Sequence, residues 1–144
     1  VFLSFDGELD TQPLIEQLWR AGKRVYLPVL HPFSAGNLLF LNYHPQSELV
    51  MNRLKIHEPK LDVRDVLPLS RLDVLITPLV AFDEYGQRLG MGGGFYDRTL
   101  QNWQHYKMQP VGYAHDCQLV EKLPVEEWDI PLPAVVTPSK VWEW

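Results

Sequence analysis

The stretch that decides the fold runs from residue 74 to residue 98 and reads VLITPLVAFDEYGQRLGMGGGFYDR. Its first four residues, Val74–Thr77, form a continuous apolar run without polar alternation, which is typical of a β-strand buried on both faces. Residues 83–86 follow as a turn signal. Four of the chain's nine glycines then fall within residues 90–94. The stretch therefore predicts a buried strand, a turn and a glycine-rich loop, in that order.

A helix is predicted directly after the glycines. Tyr96, Leu100 and Trp103 recur at positions i, i+4 and i+7, so that they share one helical face. The helix is therefore expected to begin near Gly93 or Gly94. At such a junction the unpaired N–H groups of the first helical turn lie beside a glycine backbone, which lets an anion approach closely. The loop is thus a candidate phosphate site.

Spacing alone leaves two interpretations of the loop open. It is not a P-loop, because the lysine of GxxxxGK[ST] is absent. It does not fit GxGxxG either, because Phe95 stands where the last glycine belongs. The glycines are explained equally well by phosphate binding and by a tight strand-to-helix turn that needs positive φ angles.

The charged residues around the loop bear on this choice. Asp97 falls in the first turn of the predicted helix, where the helix dipole alone favours an acid. A bare carboxylate close to bound phosphate would repel it, however, unless Mg²⁺ lies between the two groups. Arg88 precedes the loop and carries the charge to neutralise phosphate, although a solvated hairpin arginine is the commoner case. Arg98 is ambiguous in the same way.

A strand, a helix and a second strand are predicted ahead of this stretch. Residues 1–5 and 23–28 are strand-like, and between them apolar residues recur at helical spacing. The helix has Thr11 or Asp10 as its N-cap and Gly22 as its stop. This order within the first 28 residues indicates a βαβ unit, whose two strands would be parallel.

Apolar runs at residues 38–43, 111–114 and 134–137 add further strands to the prediction. Buried strands separated by helical or loop segments predict an α/β fold: a mainly parallel sheet with helices on both faces, in a three-layer, Rossmann-like arrangement. The chain contains no repeat, low-complexity tract or linker, so residues 1–144 are predicted to form a single domain.

Composition and charge exclude several classes of protein. Of the 144 residues, 46% are hydrophobic and 22% charged, as in soluble globular domains. A net charge of −5 argues against a protein that grips nucleic acid. No apolar run approaches the roughly 20 residues that span a bilayer, and the single cysteine, Cys117, cannot form an internal disulfide. We therefore expect a cytoplasmic monomer that acts on a small molecule and binds neither nucleic acid nor membrane.

Residues 82–98, and above all RLGMGGGFYDR at 88–98, closely resemble the signature of the 5-formyltetrahydrofolate cyclo-ligase family. Other segments resemble this family in the same order along nearly the whole chain. They are FLS at 2–4 with ELDT at 8–11, IHEP at 56–59, VGYA at 111–114, LPVEEWD at 123–129 and VVT at 135–137.

The resemblance implies an activity that composition and spacing do not show. Enzymes of this family convert 5-formyltetrahydrofolate to 5,10-methenyltetrahydrofolate with ATP and Mg²⁺, releasing ADP and phosphate. The formyl oxygen takes up the phosphoryl group, and N10 then attacks the formyl carbon, closes the ring and expels phosphate.

The resemblance also implies three groups of site residues, carried over position by position. The ATP phosphates would contact Arg88, Leu89, Gly90, Met91, Gly92, Gly93, Gly94, Phe95 and Tyr96, of which Arg88 and Tyr96 would be catalytic. The folate would contact Leu3, Glu8, Met91, Gly92, Gly93, Gly94 and Phe95. Mg²⁺ would be held by Asp97 and Asp129.

The chain departs from the family pattern in two places. Phe95 stands where the family commonly has tyrosine, which removes a hydroxyl group from the loop. The family also begins with a basic helix that has no counterpart here, and the chain starts inside a predicted strand. We therefore expect a missing N-terminal segment. This leaves a folate- or nucleotide-binding module without turnover as an alternative; a sugar-phosphate or acyl-carrier enzyme on a similar scaffold is disfavoured by the full signature.

Overall fold

The computed structural model describes residues 1–4, 8–31, 37–51, 57–90, 94–124 and 129–144. Two α-helices lie in these ranges, α1 (Gln12–Arg20) and α2 (Phe95–Leu100), with single 3-10 turns at Val63–Asp65, Leu69–Arg71, Trp103–His105 and Asp116–Gln118. The strands are β1 (Val25–Leu30), β2 (Leu38–Tyr43), β3 (Leu49–Met51), β4 (His57–Pro59), β5 (Val66–Leu67), β6 (Val74–Thr77), β7 (Ala81–Phe82), β8 (Arg88–Leu89), β9 (Gln109–Tyr113), β10 (Ala134–Val136) and β11 (Val141–Glu143).

The central sheet has four strands in the order β11-β10-β9-β6. Strand β9 runs parallel to both of its neighbours, with Val111 opposite Ile76 of β6 and Gly112 opposite Val135 of β10. Strand β11 closes the sheet by antiparallel pairing with β10. The three apolar runs after residue 70 are therefore adjacent parallel strands, as the sequence predicts.

A second, antiparallel sheet has the order β1-β2-β5. The short pairs β3–β4 and β7–β8 are antiparallel hairpins. The α/β class is confirmed, but the pairing is mixed, and within the described ranges the α-helices are few. The three-layer, Rossmann-like arrangement with helices on both faces of one mainly parallel sheet is not confirmed.

The prediction of a parallel βαβ unit at the start of the chain is wrong. Residues 1–4 form no strand, although the Val1 nitrogen donates a hydrogen bond to the Tyr26 carbonyl at 3.1 Å and so lies beside β1. Strand β1 pairs antiparallel with β2 instead. The short connection between β1 and β2 suits antiparallel pairing, because a parallel crossover needs roughly a dozen residues or more.

Helix α1 is confirmed, and its ends have identifiable causes. The N-cap residue is Thr11, whose hydroxyl donates to the buried Phe2 carbonyl at 2.7 Å and makes no cap bond, while the Asp10 carboxylate accepts from the Gln12 amide at 3.0 Å. Gly22, at φ +75°, follows the helix. The Gly22 amide bonds the carbonyl of Trp19 and the Lys23 amide that of Leu18 (3.0 and 2.9 Å), the pattern of a Schellman motif.

The core joins the central sheet to α2 and to the β7–β8 hairpin. Phe82 and Leu100 are both fully buried, so the elements on either side of the glycine-rich loop are fixed to the same core. Its members are Phe40, Leu72, Leu75, Leu79, Phe82, Leu100, Met108, Ala114, Leu132 and Val135. Because each of the large side chains in this core contributes about 1.5–3 kcal/mol on burial, this packing holds the two ends of the loop in place.

Among the helices in the described ranges, none is long and apolar enough to cross a membrane.

Candidate active site

Arg88 is the centre of the candidate site. Its backbone is fixed in β8, opposite Phe82 of β7, and its side chain is only 3% exposed. One guanidinium nitrogen, Nη2, lies 3.9 Å from a carboxylate oxygen of Asp97, and the guanidinium carbon lies 5.8 Å from the centre of the Tyr96 ring. The buried Nε has no hydrogen-bond partner among the described residues. The guanidinium is thus buried beside Asp97 and Tyr96, with its Nε–H group unsatisfied among the described residues.

Burial lowers the pKa of Arg88, whereas the charges of Asp97, Tyr96 and Asp129 oppose this shift. Since an arginine in a protein keeps its proton, the result is a buried cation. A buried cation is stable only when it is paired and hydrogen-bonded, and an ion pair at 3.9 Å does this incompletely. Arg88 therefore retains hydrogen-bonding capacity for a further acceptor, which can be an anion when the charges of Asp97 and Asp129 are neutralised.

Tyr96 lies in the first turn of α2 and is partly buried. Burial raises the pKa of its phenol above the ordinary value, the nearby Arg88 charge lowers it, and the charge of Glu8 raises it further. The hydroxyl is therefore neutral at physiological pH, which lets it donate or accept a hydrogen bond but prevents it from acting as a phenolate base.

The glycines at the two ends of the loop each make room for an arginine. A Cβ atom on Gly90 would lie 2.7 Å from Nη1 of Arg88, and one on Gly94 would lie 2.9 Å from Nη1 of Arg98. Gly94 also has φ +70°, which disfavours any other residue. Met91, Gly92 and Gly93, also predicted to contact ATP and folate, lie outside the described residues.

Helix α2 begins where the sequence predicts but ends earlier. Gly94 is its N-cap residue, and its first backbone bond runs from the Arg98 amide to the Gly94 carbonyl at 3.0 Å. The amides of the first three helical residues precede that bond and have no intrahelical acceptor. The helix stops at Leu100, and Trp103 begins a separate 3-10 turn after Asn102, whose φ is +63°.

The two aspartates predicted to hold metal lie on the same side of the site. A carboxylate oxygen of Asp97 accepts from the Ile130 amide at 3.4 Å. Ile130 directly follows Asp129, so this bond brings the chain at Asp129 close to α2. Both charges oppose the lowering of the Arg88 pKa. Mg²⁺ is commonly held by one or two carboxylates together with substrate phosphate oxygens and water. The donor set therefore fits Mg²⁺, although the described residues contain no group of three or more potential metal ligands.

The residues predicted to contact folate are only partly brought together. Glu8 is half-buried and near enough for its charge to affect Tyr96. Leu3 is half-buried and follows Phe2, which packs edge-on against Tyr113 with ring centres 6.4 Å apart. The placement of Leu3 toward a bound folate stays a prediction.

Two cavities among the described residues do not coincide with the centre of the predicted site. One of about 300 Å³ is lined by polar residues that include His44 and Lys60 and contains no predicted site residue. Another of about 190 Å³ lies beside α2 and is lined in part by Arg98 and Thr99. We base the site on Arg88, because a buried and incompletely paired cation indicates a ligand more specifically than cavity volume does.

Sequence reasoning identified residues 83–86 only as a turn and missed the burial of Asp83. Its carboxylate is fully buried and accepts from the Tyr85 amide at 2.9 Å, the Gln87 amide at 3.0 Å and the Leu123 amide at 3.0 Å. The first two bonds are local and could have been expected from a turn-forming aspartate. The third connects distant parts of the chain, and no signal in the sequence predicts it.

An α/β fold that places a buried arginine beside a glycine-rich helix start and two carboxylates has an arrangement of charges that suits the binding of phosphate groups. The chain belongs to the 5-formyltetrahydrofolate cyclo-ligase family, whose model matches residues 1–138. The family resemblance seen in the sequence is thereby confirmed.

Individual relatives agree with this assignment. The chain is 99% identical over 144 residues to the 5-formyltetrahydrofolate cyclo-ligase of Escherichia coli (strain K12) and covers 79% of that protein. It is 61% identical over 132 residues to the enzyme of the same name from Haemophilus influenzae, with 92% of this chain and 71% of that protein covered.

Two solved structures are similar to this fold. The NMR structure of Aquifex aeolicus 5,10-methenyltetrahydrofolate synthetase matches with a TM-score of 0.79 and 31% identity, over 99% of this chain and 69% of that one. The synthetase from Mycoplasma pneumoniae matches with a TM-score of 0.68 over 94% of this chain and 69% of that one. At 20% identity, the second similarity concerns the fold alone.

Proposed function

We propose that this chain converts 5-formyltetrahydrofolate to 5,10-methenyltetrahydrofolate in an ATP-dependent reaction that releases ADP and phosphate. Family membership defines the reaction. The observation in the structure that carries the proposal is the buried Arg88 guanidinium, incompletely paired beside the glycine-rich loop. A transferring phosphoryl group would supply an acceptor for the unsatisfied Nε.

The reaction needs positioning and charge neutralisation more than covalent help from the protein. The formyl oxygen attacks the γ-phosphorus, and the bond from that phosphorus to ADP breaks. N10 then attacks the formyl carbon, its proton is lost, and the carbon–oxygen bond to phosphate breaks as the ring closes. Arg88 stabilises the negative charge that develops on the phosphoryl oxygens.

The start of α2 contributes the remaining phosphate contacts in this proposal. The amides of Phe95 and Tyr96 precede the first intrahelical bond, as described above, and can donate to phosphate oxygens. Leu89, Gly90 and Gly94 form the described ends of the loop, and Met91, Gly92 and Gly93 complete it. In this proposal the neutral Tyr96 hydroxyl makes a hydrogen bond at the reacting centre.

Asp97 and Asp129 are the residues that would hold Mg²⁺. When bound, the ion neutralises phosphate charge that these two carboxylates would otherwise repel. Without it, two carboxylates around one arginine leave an excess of negative charge. This charge balance supports the metal assignment.

Glu8 and Leu3 are proposed to contact the folate, together with the loop from Met91 to Phe95. The Glu8 carboxylate can accept hydrogen bonds from the N–H groups of the pterin. Phe95 has no hydroxyl to offer, and its ring instead lies 5.6 Å from the guanidinium carbon of Arg98.

We further propose that the chain acts as a cytoplasmic monomer on its small-molecule substrate, without nucleic acid or membrane. The net charge of −5 supports the absence of a nucleic-acid partner.

The test is to follow the ultraviolet absorbance of the methenyl product from 5-formyltetrahydrofolate, with and without ATP. The proposal expects product only when ATP is present. Product without ATP would reject the ligase mechanism. Binding of both substrates without product would indicate a binding module instead.

A further inference from the structure

Asp83 is a buried carboxylate that the proposed reaction does not use. It is fully buried, yet both of its oxygens accept hydrogen bonds. Oδ1 accepts from Tyr85 and Gln87 within the β7–β8 turn, whereas Oδ2 accepts from Leu123, which lies 40 residues further along the chain. The carboxylate therefore joins the hairpin that carries Arg88 to a distant segment.

The turn alone does not require a carboxylate. A turn-capping asparagine or serine can satisfy the two local amides with one oxygen. Burying a charged group costs free energy that only several hydrogen bonds offset. The second oxygen accepts from the Leu123 amide. An aspartate is therefore needed at this position for the bond to Leu123 and not for the turn.

Asp83 holds a segment, residues 118–123, that runs along the edge of the β7–β8 hairpin. The side-chain amide of Gln118 donates to the carbonyls of Leu79 and Val80 at 2.8 and 3.1 Å, and the Val120 amide donates to the Phe82 carbonyl at 2.8 Å. Within residues 118–124, the bond to Leu123 is the last described contact with the hairpin; beyond Asp129, the Leu132 amide donates to the Gly86 carbonyl at 2.8 Å.

A second carboxylate holds the chain beyond this segment. Asp97 accepts from the Ile130 amide at 3.4 Å. Asp129 therefore lies between two amides, those of Leu123 and Ile130, that carboxylates hold. We propose that Asp83 is a positioning residue, which fixes the approach of the chain to Asp129 and so sets the metal-binding geometry beside Arg88. This inference rests on the proposed function, in which Asp129 holds Mg²⁺.

The decisive variant is Asp83→Asn, which keeps the shape of the side chain and one oxygen for the turn. The side-chain NH2 group of the asparagine replaces the oxygen that accepts from Leu123. Two hydrogen-bond donors, this NH2 group and the Leu123 amide, then face each other and the bond is lost. We expect faster hydrogen exchange at the amides of Leu123 and Ile130. We also expect the Mg²⁺ concentration for half-maximal turnover to rise roughly tenfold to hundredfold, as for other residues that orient metal ligands, with an unchanged KM for 5-formyltetrahydrofolate.

Gln118→Ala is the matched control. It removes two bonds between the same segment and the hairpin but leaves the Leu123 contact intact. It should lower Tm without changing the exchange at Ile130 or the Mg²⁺ dependence. If Asp83→Asn also lowers Tm and changes neither of the other two quantities, Asp83 is merely structural and the inference is overturned. Asp83→Ser, whose hydroxyl still caps the turn but is too short to reach Leu123, serves if the asparagine variant does not fold.

A double variant separates this inference from the proposed function. Because Asp83 acts through Asp129, adding Asp83→Asn to Asp129→Asn should not shift the Mg²⁺ dependence further, whereas full additivity would overturn the inference. Absence of turnover in the wild-type chain would refute the proposed function. The exchange at Ile130 would still decide whether Asp83 positions this part of the chain.

Discussion

Arg88 shows how a single residue relates stability to function in this molecule. Its guanidinium is buried, its carboxylate partner lies at 3.9 Å and its Nε has no partner among the described residues. Well-packed apolar side chains in place of a whole buried ion pair are often neutral or stabilising, whereas removal of one partner leaves the other charge uncompensated. Burial of the Arg88 guanidinium with an unsatisfied Nε is expected where a bound ligand completes the hydrogen bonds of this group.

Arg88→Met should reduce both turnover and stability. We expect Tm to fall, because the change leaves the half-buried Asp97 carboxylate without its cationic partner. ATP-dependent turnover should fall by about a hundredfold or more, as when a charge-stabilising donor is removed from an active site. Thermal melts and the absorbance assay measure the two effects. Full activity, or a Tm that stays level or rises, would contradict this account of Arg88.

Tyr96 should make the protein sensitive to alkaline pH. Its pKa in the folded state is raised above the ordinary value of 10.0 by burial. The neutral phenol is favoured by folding, so this stabilising contribution is complete below the unfolded-state pKa and is lost as pH rises from there through the folded-state pKa. Above pH 10.0 the loss reaches up to about 1.4 kcal/mol per pH unit.

Urea unfolding of the wild type and of Tyr96→Phe, at neutral pH and above pH 10, measures this contribution. The phenylalanine variant should lose less free energy of unfolding over that range. Equal losses in the two proteins would show that the Tyr96 hydroxyl is not buried in the folded state.

At the scale of elements, the β7–β8 turn and the turn after α1 form a matched pair. Gly86 and Gly22 have similar φ angles, +83° and +75°, but different surroundings. A Cβ on Gly86 would lie 2.6 Å from the Leu132 carbonyl oxygen and 3.1 Å from the Trp144 ring, whereas one on Gly22 would meet nothing within 4 Å. The β7–β8 turn is thus covered by the C-terminal part of the chain, and the other turn is open.

Substitution by alanine should separate backbone strain from crowding. Gly22→Ala should cost about 1–2 kcal/mol of unfolding free energy from strain alone. Gly86→Ala should cost a further ~1–3 kcal/mol, because rigid backbone must move. Denaturant unfolding of the two variants gives the comparison. Equal losses would mean that Trp144 and Leu132 do not pack over the turn.

Individual elements could be predicted from the sequence better than their partners could. Three predictions depend on local physics alone: a strand from the apolar run at residues 74–77, a helix from the spacing after residue 12, and a helix start after the glycines. The corresponding elements β6, α1 and α2 all form. The pairing of β1 with β2 depends on which other strands lie nearby in the folded protein. The hydrophobic pattern of a strand shows which of its faces is buried, but it does not show which strand is its partner. Helix α2 is shorter than its spacing suggests, because Asn102 takes a left-handed conformation after Leu100.

At the scale of the whole molecule, the site is assembled from segments that are far apart in the chain. Local patterns drew attention to Arg88, Asp97 and the glycine-rich loop. Glu8 and Asp129 were predicted only through the family resemblance, because neither residue differs locally from a common helix-start or turn acid. Asp83 escaped both kinds of reasoning, since its function depends on an amide 40 residues away.

Binding of Mg·ATP should stabilise the whole domain. At a ligand concentration a hundred times Kd the gain is about 2.7 kcal/mol, which in a protein of this size corresponds to a rise in Tm of about 5–10 °C. Asp97→Asn should fold normally, because it keeps an oxygen for the Ile130 amide. Its Tm in Mg·ATP should nevertheless be no higher than with ATP alone, and its Mg²⁺-dependent turnover should be lost.

Asp62→Asn is the control for this prediction. It makes the same chemical change at a partly exposed carboxylate that pairs with Arg64 at 2.6 Å, in a part of the chain that contributes no predicted site residue. It should keep the full rise in Tm on addition of Mg·ATP, since the effect requires a carboxylate beside Arg88 and not merely negative charge on the protein. An equal Mg²⁺-dependent rise in the Asp97 and Asp62 variants would remove Asp97 from the metal site and leave the phosphate loop without its proposed counter-ion.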